Sequence, residues 1–292
     1  MLNRLFDSRI CIAALLLAMV CGACSSVAPR NDWEHRLRGD AVVLLGEVHD
    51  NPEHHRLRLQ VLRHALAAGW RPAIAMEQFD REHQADIDRA RRERPDDAQH
   101  VIDLAAPVGT ASKSGWNWDF YRPFVALALE YGLPLIATNV SNADTTKVVR
   151  DGYSAVFDDA SIATLRLDQP IAPDWQAAQE REIDVGHCHV LPQAALPRMA
   201  RAQYARDAVM AEELRKHAGN GVVLLAGNGH VRRDIGVPRW MNGPFLDRVF
   251  AVAYLERSTE SIPDSVFDAV VRTAPAERPD PCAEFEKRKR RQ

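Results

Sequence analysis

Val42-Val43-Leu44-Leu45-Gly46-Glu47-Val48-His49 and Val222-Val223-Leu224-Leu225-Ala226-Gly227-Asn228-Gly229-His230 share one design: an apolar run, then a Gly-x-x-His ending. A continuous apolar run, rather than an alternating one, suits a strand buried on both faces of a parallel sheet. The runs extend over Ala41 to Leu45 and Val222 to Ala226, and three others resemble them: Pro72 to Met76, Leu133 to Ala137 and Val249 to Leu255. Between them lie helix-like stretches. One runs from Pro52 to Ala68, begins after the capping pair Asp50-Asn51 and stops at Gly69. Two more, Tyr121 to Tyr131 and Pro197 to His217, stop at Gly132 and Gly219. Strands alternating with helices predict a three-layer α/β fold, its mostly parallel sheet flanked by helices.

Two excursions break the alternation. Residues 80–118 are charged and then rich in Gly, Ser and Trp, while residues 155–205 read as mostly helical. They are expected to form a smaller helical cap subdomain beside the sheet, where insertions of this kind shape pockets.

In open α/β sheets ligands gather at the carboxyl ends of the strands. Those ends carry Glu47 and His49, Glu77 and Gln78, Asn139, and Asn228 and His230. If the strands are neighbours, two imidazoles and two carboxylates meet on one edge. That set suits a divalent metal ion, or a general base acting on water. A lone His after a strand is more often a cap; the repeated ending, joined by Glu77, is what raises these residues above that reading. No Gly-x-Ser-x-Gly elbow and no phosphate-binding loop is present.

The chain ends and the remaining cysteines define the setting. Arg4 and Arg9 precede an apolar run from Ile10 to Val20, followed by Cys21-Gly22-Ala23-Cys24-Ser25. A basic start, a short apolar core and small residues describe an export signal over residues 1–23, too short to span a bilayer. Cysteine after Gly-Ala resembles a lipobox, so Cys24 is the expected lipidation site, with residues 24–40 as a tether. Ser25 resembles the outer-membrane sorting pattern. Cys188 and Cys282 then remain in an oxidising compartment that permits a disulfide, without the sequence bringing them together. The C-terminal segment, 258–292, ends in Lys287-Arg288-Lys289-Arg290-Arg291, a solvated tail on a chain of 292 residues and net charge -3. That balance gives no case for nucleic acid.

Gly186-His187-Cys188-His189 places three donors in a row. Adjacent side chains diverge, so His187 or His189 could each supply one axial ligand to a haem iron, but not one shared metal site. Tyrosinate is the other haem ligand to consider. Of the five tyrosines, Tyr204 in Arg201-Ala202-Gln203-Tyr204-Ala205-Arg206-Asp207 stands out.

On these residues the chain resembles the ChaN-like haem-binding lipoproteins of the wider TIKI and erythromycin-esterase superfamily. The matching stretches are Leu45 to His49, Met76 to Phe79, Leu135 to Asn139, His187-Cys188, Leu191-Pro192, Ala202 to Asp207 and Gly227 to Pro238, in order across the expected domain of residues 41–257. The resemblance implies an outer-membrane lipoprotein that binds haem for iron uptake, held by its lipid anchor, working with an outer-membrane haem receptor and able to form a homodimer. Its cofactor residues would come from Tyr204, His187, His189 and Arg206. The wider superfamily implies instead a metal-dependent hydrolase, a protease or esterase, in which Glu47, His49, Glu77 and His230 form the metal or catalytic centre.

Overall fold

In the computed structural model, which describes residues 32–106, 116–257, 262–280 and 282–283, the apolar runs become strands of one six-stranded, all-parallel sheet. The strands are β1 (Val42–Leu45), β2 (Ala73–Asp80), β3 (Leu135–Asn139), β4 (Val222–Leu225), β5 (Val249–Glu256) and β6 (Ala269–Thr273), in spatial order β3-β2-β4-β1-β5-β6. The α-helices are α1 (Pro52–Ala67), α2 (Gln84–Glu93), α3 (Ala98–Ala105), α4 (Trp118–Glu130), α5 (Asn142–Asp151), α6 (Asp159–Leu165), α7 (Pro173–Gly186), α8 (Leu196–His217), α9 (Asn228–Val231) and α10 (Pro244–Arg248). The described residues from 35 onward form one unit that contains the described parts of both helical excursions. The expected signal, the lipidation site Cys24 and the basic tail lie outside the described residues.

The sheet is a three-layer core because its strands are buried on both faces. Val42, Leu44, Ala73, Ala75, Val222 and Leu224 join one apolar cluster with Ala208, Val209, Met210 and Leu214 of α8. The alternate residues Val43, Leu45, Ile74, Met76, Val223 and Leu225 are also buried and face the other side by the two-residue period of a strand. Asn51 caps α1 by accepting from the backbone N–H groups of Glu53 and His54, and Pro52 starts the helix where a missing N–H costs nothing.

Two differences from the sequence reading have local causes. Strand β2 runs on to Asp80 through a register shift against β3 between Met76 and Asp80, so its polar end stays in the sheet. Strand β6 adds an edge to β5 from the C-terminal segment, where no strand is expected; it is short and only partly buried.

The consequence for function is in the order of the strands. β4 lies between β1 and β2, with Val42 opposite Val222 and Leu45 opposite Leu225. The two Gly-x-x-His endings are therefore side by side, and Glu77 of β2 lies across from the second. β2 and β3 lie on one side of this pair and β5 and β6 on the other, so the winding of the chain reverses there. Such a reversal opens a crevice beyond the strand ends.

Candidate functional site

Three glycines and one amide give the crevice its close backbone. A Cβ on Gly46 would lie 2.3 Å from Asn228 Oδ1 and 2.8 Å from Val231 Cγ2, so only glycine lets β1 pass under α9. Asn228 uses its side chain to tie that turn to β5, donating to the Tyr254 carbonyl at 2.7 Å. A Cβ on Gly227 would lie 2.9 Å from Cε1 and 3.1 Å from Nε2 of His49, so Gly227 leaves room for the imidazole edge. At Gly236 the obstacle is the His230 backbone.

The charged residues separate into two sets. Around Glu47, which is buried, Tyr121 donates its hydroxyl to Oε1 at 2.5 Å and His49 donates Nδ1–H to the same oxygen at 2.8 Å. The other oxygen meets the guanidinium of Arg58, itself fully buried, in a close ion pair. Burial lowers the Arg58 pKa to about 10, which leaves it charged at neutral pH. Arg58 also donates to the Leu45 carbonyl at 3.0 Å. His55 donates Nε2–H to the His49 carbonyl at 2.9 Å and stacks on Phe120, and burial pulls its pKa down to about 4. It is therefore a neutral, fixed support.

In the second set, His230 lies between two buried carboxylates. Its Nδ1–H donates to Asp207 Oδ1 at 2.6 Å, and Nε2 faces Glu77 Oε1 at 3.5 Å. Burial opposes the charge, but the two carboxylates overcome it and raise the His230 pKa to about 10. Glu77 moves the other way. Burial would raise it, yet the charge and hydrogen bond of His230, with the backbone N–H of Gly227 at 2.7 Å, hold it well below the usual carboxylate range. Asp207 is raised, because burial outweighs the help from His230. The set is a buried carboxylate–imidazolium–carboxylate chain.

His49 is the accessible member, with its side chain 46% exposed at the crevice and Trp116 edge-on at 4.8 Å. Its pKa is lowered, first by burial, with Glu77 opposing and the charge of His230 assisting. With Nδ1–H committed to Glu47, its Nε2 carries a lone pair beside Gly227. Trp116, Trp118, Phe79 and Tyr121 continue an aromatic wall from it.

Of the residues expected to share one centre, Glu47, His49, Glu77 and His230 do converge on the crevice, but their donor atoms do not fit a divalent ion. Glu47 spends its oxygens on Arg58, Tyr121 and His49, and both His230 nitrogens face carboxylates. Among the described residues no three His, Cys, Asp or Glu groups are placed to hold a metal ion. Asp207, Arg58, His55 and Tyr121 were not singled out as members of this site. The first arrives from α8, far away in sequence; the repeated chemistry of His54-His55 and Arg58 just after the first Gly-x-x-His was the available signal.

The expected haem residues lie on different elements. Tyr204 is 3% exposed and sits edge-on to Trp175 at 5.3 Å, with Trp240 beyond. Burial raises its pKa, which disfavours the tyrosinate that iron would need. Arg206 donates to Asn142 Oδ1 at 2.8 Å and lies near Asp80, whose pKa burial pushes up to about 6. His187 and His189 follow the end of α7. His187 donates Nδ1–H to the Ile183 carbonyl at 2.7 Å, and His189 donates Nδ1–H to Asp184 Oδ2 at 2.7 Å with its side chain 68% exposed. Between them Cys188 is disulfide-bonded to Cys282, with Cα atoms 5.6 Å apart.

Comparison with known proteins agrees with this architecture. No protein of curated function matches the sequence. Among solved structures, ChaN of Campylobacter jejuni, described with cofacial heme binding, superposes with a TM-score of 0.60 at 19% identity, over 81% of this chain and 88% of that one. An erythromycin esterase in its open conformation gives 0.43 at 14% identity over 74% and 70%, and the type III effector HopBA1 gives 0.42 at 13% over 81% and 88%. The family model described as haem-binding uptake, Tiki superfamily, ChaN matches residues 33–241. The chain therefore belongs to the ChaN family of haem-binding uptake proteins within the Tiki superfamily.

Proposed function

We propose that the protein is an outer-membrane lipoprotein, anchored through Cys24, that binds haem and passes it on during iron uptake. The observation that carries the site is His189. An imidazole whose Nδ1–H is held by a carboxylate turns its Nε2 outward in a fixed ring orientation, ready for a metal. His189 has this arrangement with Asp184, on a loop where the ring faces solvent. Val185, one turn away on α7 and 56% exposed, offers an apolar surface for a tetrapyrrole face. His187 on the same loop has the same tautomer through its bond to Ile183. The haem is the cargo; the chain supplies the ligand, its orientation and the apolar contact.

The test is a haemin titration of the mature, non-lipidated chain read by absorption spectroscopy. A saturable Soret change is expected, with His189→Ala weakening binding at least ten-fold and Asp184→Asn weakening it less. Absence of saturable binding overturns the reading. Equal binding by the His187→Ala and His189→Ala proteins and the parent reassigns the ligand. Mass analysis of the N-terminal peptide from membranes tests the Cys24 anchor.

The crevice supports a second reading, a hydrolase that uses no divalent ion. His49, neutral and accessible, is placed to take a proton from water through Nε2 while Glu47 orients it and takes up part of the charge. The leaving group's proton would return from the same imidazole, and an ester or amide would be cut. A panel of activated esters tested with the parent and His49→Ala proteins decides it: hydrolysis that survives in the variant, or none in either, removes this reading.

A further inference from the structure

The C-terminal strap joins two histidine-bearing loops, the one after β1 and the one after α7. After β6, Ala274 accepts from Asn51 Nδ2 at 3.1 Å, and Ala276 N–H donates to Glu256 Oε1 at 2.9 Å. Arg278 then bonds Glu256 closely and pairs with Asp50 at 3.2 Å. These contacts fasten the strap to Asp50-Asn51, directly after His49. Its next fixed point is Cys282, bonded to Cys188 between His187 and His189.

At that second point the backbone is in an unfavourable conformation. Cys188 and His189 have φ of 56° and 55°, a left-handed pair without a glycine. Side chains with a Cβ adopt this conformation only where the surroundings impose it. Here the imposed links are the backbone bonds of His189 N–H to Asp184 O at 2.9 Å and Cys188 N–H to Val185 O at 2.9 Å, together with the covalent bridge. The bridge spans a sequence separation of 94 residues, so it supplies a constraint that no local contact replaces.

From these contacts we infer that the Cys188–Cys282 disulfide is a redox clasp on the haem-ligand loop, closed for haem retention and opened by a dithiol for release. The inference rests on the reading of His189 as iron ligand. A dithiol reductant attacks one sulfur through its thiolate and forms a mixed disulfide; its second thiol then displaces the first protein thiol. The balance is two electrons and two protons: the reductant leaves as a disulfide and Cys188 and Cys282 leave as two thiols. The loop, no longer tied to the strap, is then held in its left-handed pair by its two backbone bonds alone, and the His189 contact with Asp184 that directs the imidazole loosens with it.

The test compares haemin affinity in four forms of the mature chain: oxidised parent, parent reduced with a dithiol and alkylated, Cys188→Ala/Cys282→Ala, and His189→Ala. Circular dichroism on each establishes that the fold is retained. Both forms lacking the bridge are expected to bind haemin at least five-fold more weakly than the oxidised parent and to dissociate faster. If they match the oxidised parent while His189→Ala loses affinity, the ligand stands and the clasp is wrong. If His189→Ala binds as the parent does, the ligand reading fails and the clasp with it. Two bridge-free forms made by different routes ensure that a failure of one to fold does not decide the question.

Discussion

Replacing His230 with Gln tests whether the crevice is held by a buried cation between two carboxylates. His230 is 13% exposed on its side chain and its pKa moves from 6.5 to about 10. A group whose folded pKa is raised contributes stability that is complete below its unfolded value and lost as pH rises through the folded one. The window is therefore pH 6.5 to about 10. At about 1.4 kcal/mol per unit, the displacement sets a ceiling of about 5 kcal/mol, and sharing with Glu77 and Asp207 brings the expected effect to about 2–4 kcal/mol. His54 and His55 work in the opposite direction: both are lowered to about 4, first by burial, so their contribution is present above pH 6.5 and is lost as pH falls towards 4. Urea unfolding of the parent is expected to give a maximum near pH 6.5, with a decline on each side. In His230→Gln the alkaline decline should vanish and stability at pH 6.5 should fall by about 3–5 kcal/mol, the cost of facing two carboxylates without their cation. A parent curve that is flat from pH 6.5 to 9, or a variant that declines as steeply, would refute the reasoning.

Arg58→Met should cost about 3–5 kcal/mol in urea unfolding because it leaves Glu47 buried without its cation, and adding Glu47→Gln should recover at least half of that. Gly227→Ala should lower stability by about 1–3 kcal/mol through collision with the His49 ring, whereas Gly229→Ala, where nothing lies within 4 Å of a new Cβ, should change it by less than about 0.5 kcal/mol; thermal unfolding of the pair checks both. Removing the Cys188–Cys282 bridge with paired alanines should cost about 2–4 kcal/mol in non-reducing urea unfolding, and an unchanged midpoint would show that the strap is held by its polar contacts alone.

The fold was legible because its signals are local. Runs such as Val42-Val43-Leu44-Leu45 carry their double-sided burial in composition, and caps such as Asn51-Pro52 mark helix starts within a turn. Glycine at Gly46 and Gly227, followed by histidine, marked the crevice for the same reason: a short motif states that a backbone must turn close to something. The sixth strand is different: Ala269-Val270-Val271 is too short a run to declare a strand by itself, and its pairing with β5 at the sheet edge comes from the tertiary fold.

Sequence by itself established the α/β class, the strand ends that bear Glu47, His49, Glu77 and His230, and the family resemblance. Only the tertiary structure decided what those residues do to one another. Pairing β4 between β1 and β2 put the two histidines together, and the packing of α8 delivered Asp207 to His230. Burial then set the charges: one imidazole is neutral and accessible, the other a buried cation. The same packing carried Tyr204 inward between Trp175 and Trp240, left His189 at the surface, and brought Cys282 to Cys188. Charge state, exposure and long-range contact depend on what the chain folds against, and no local pattern of residue types contains that information.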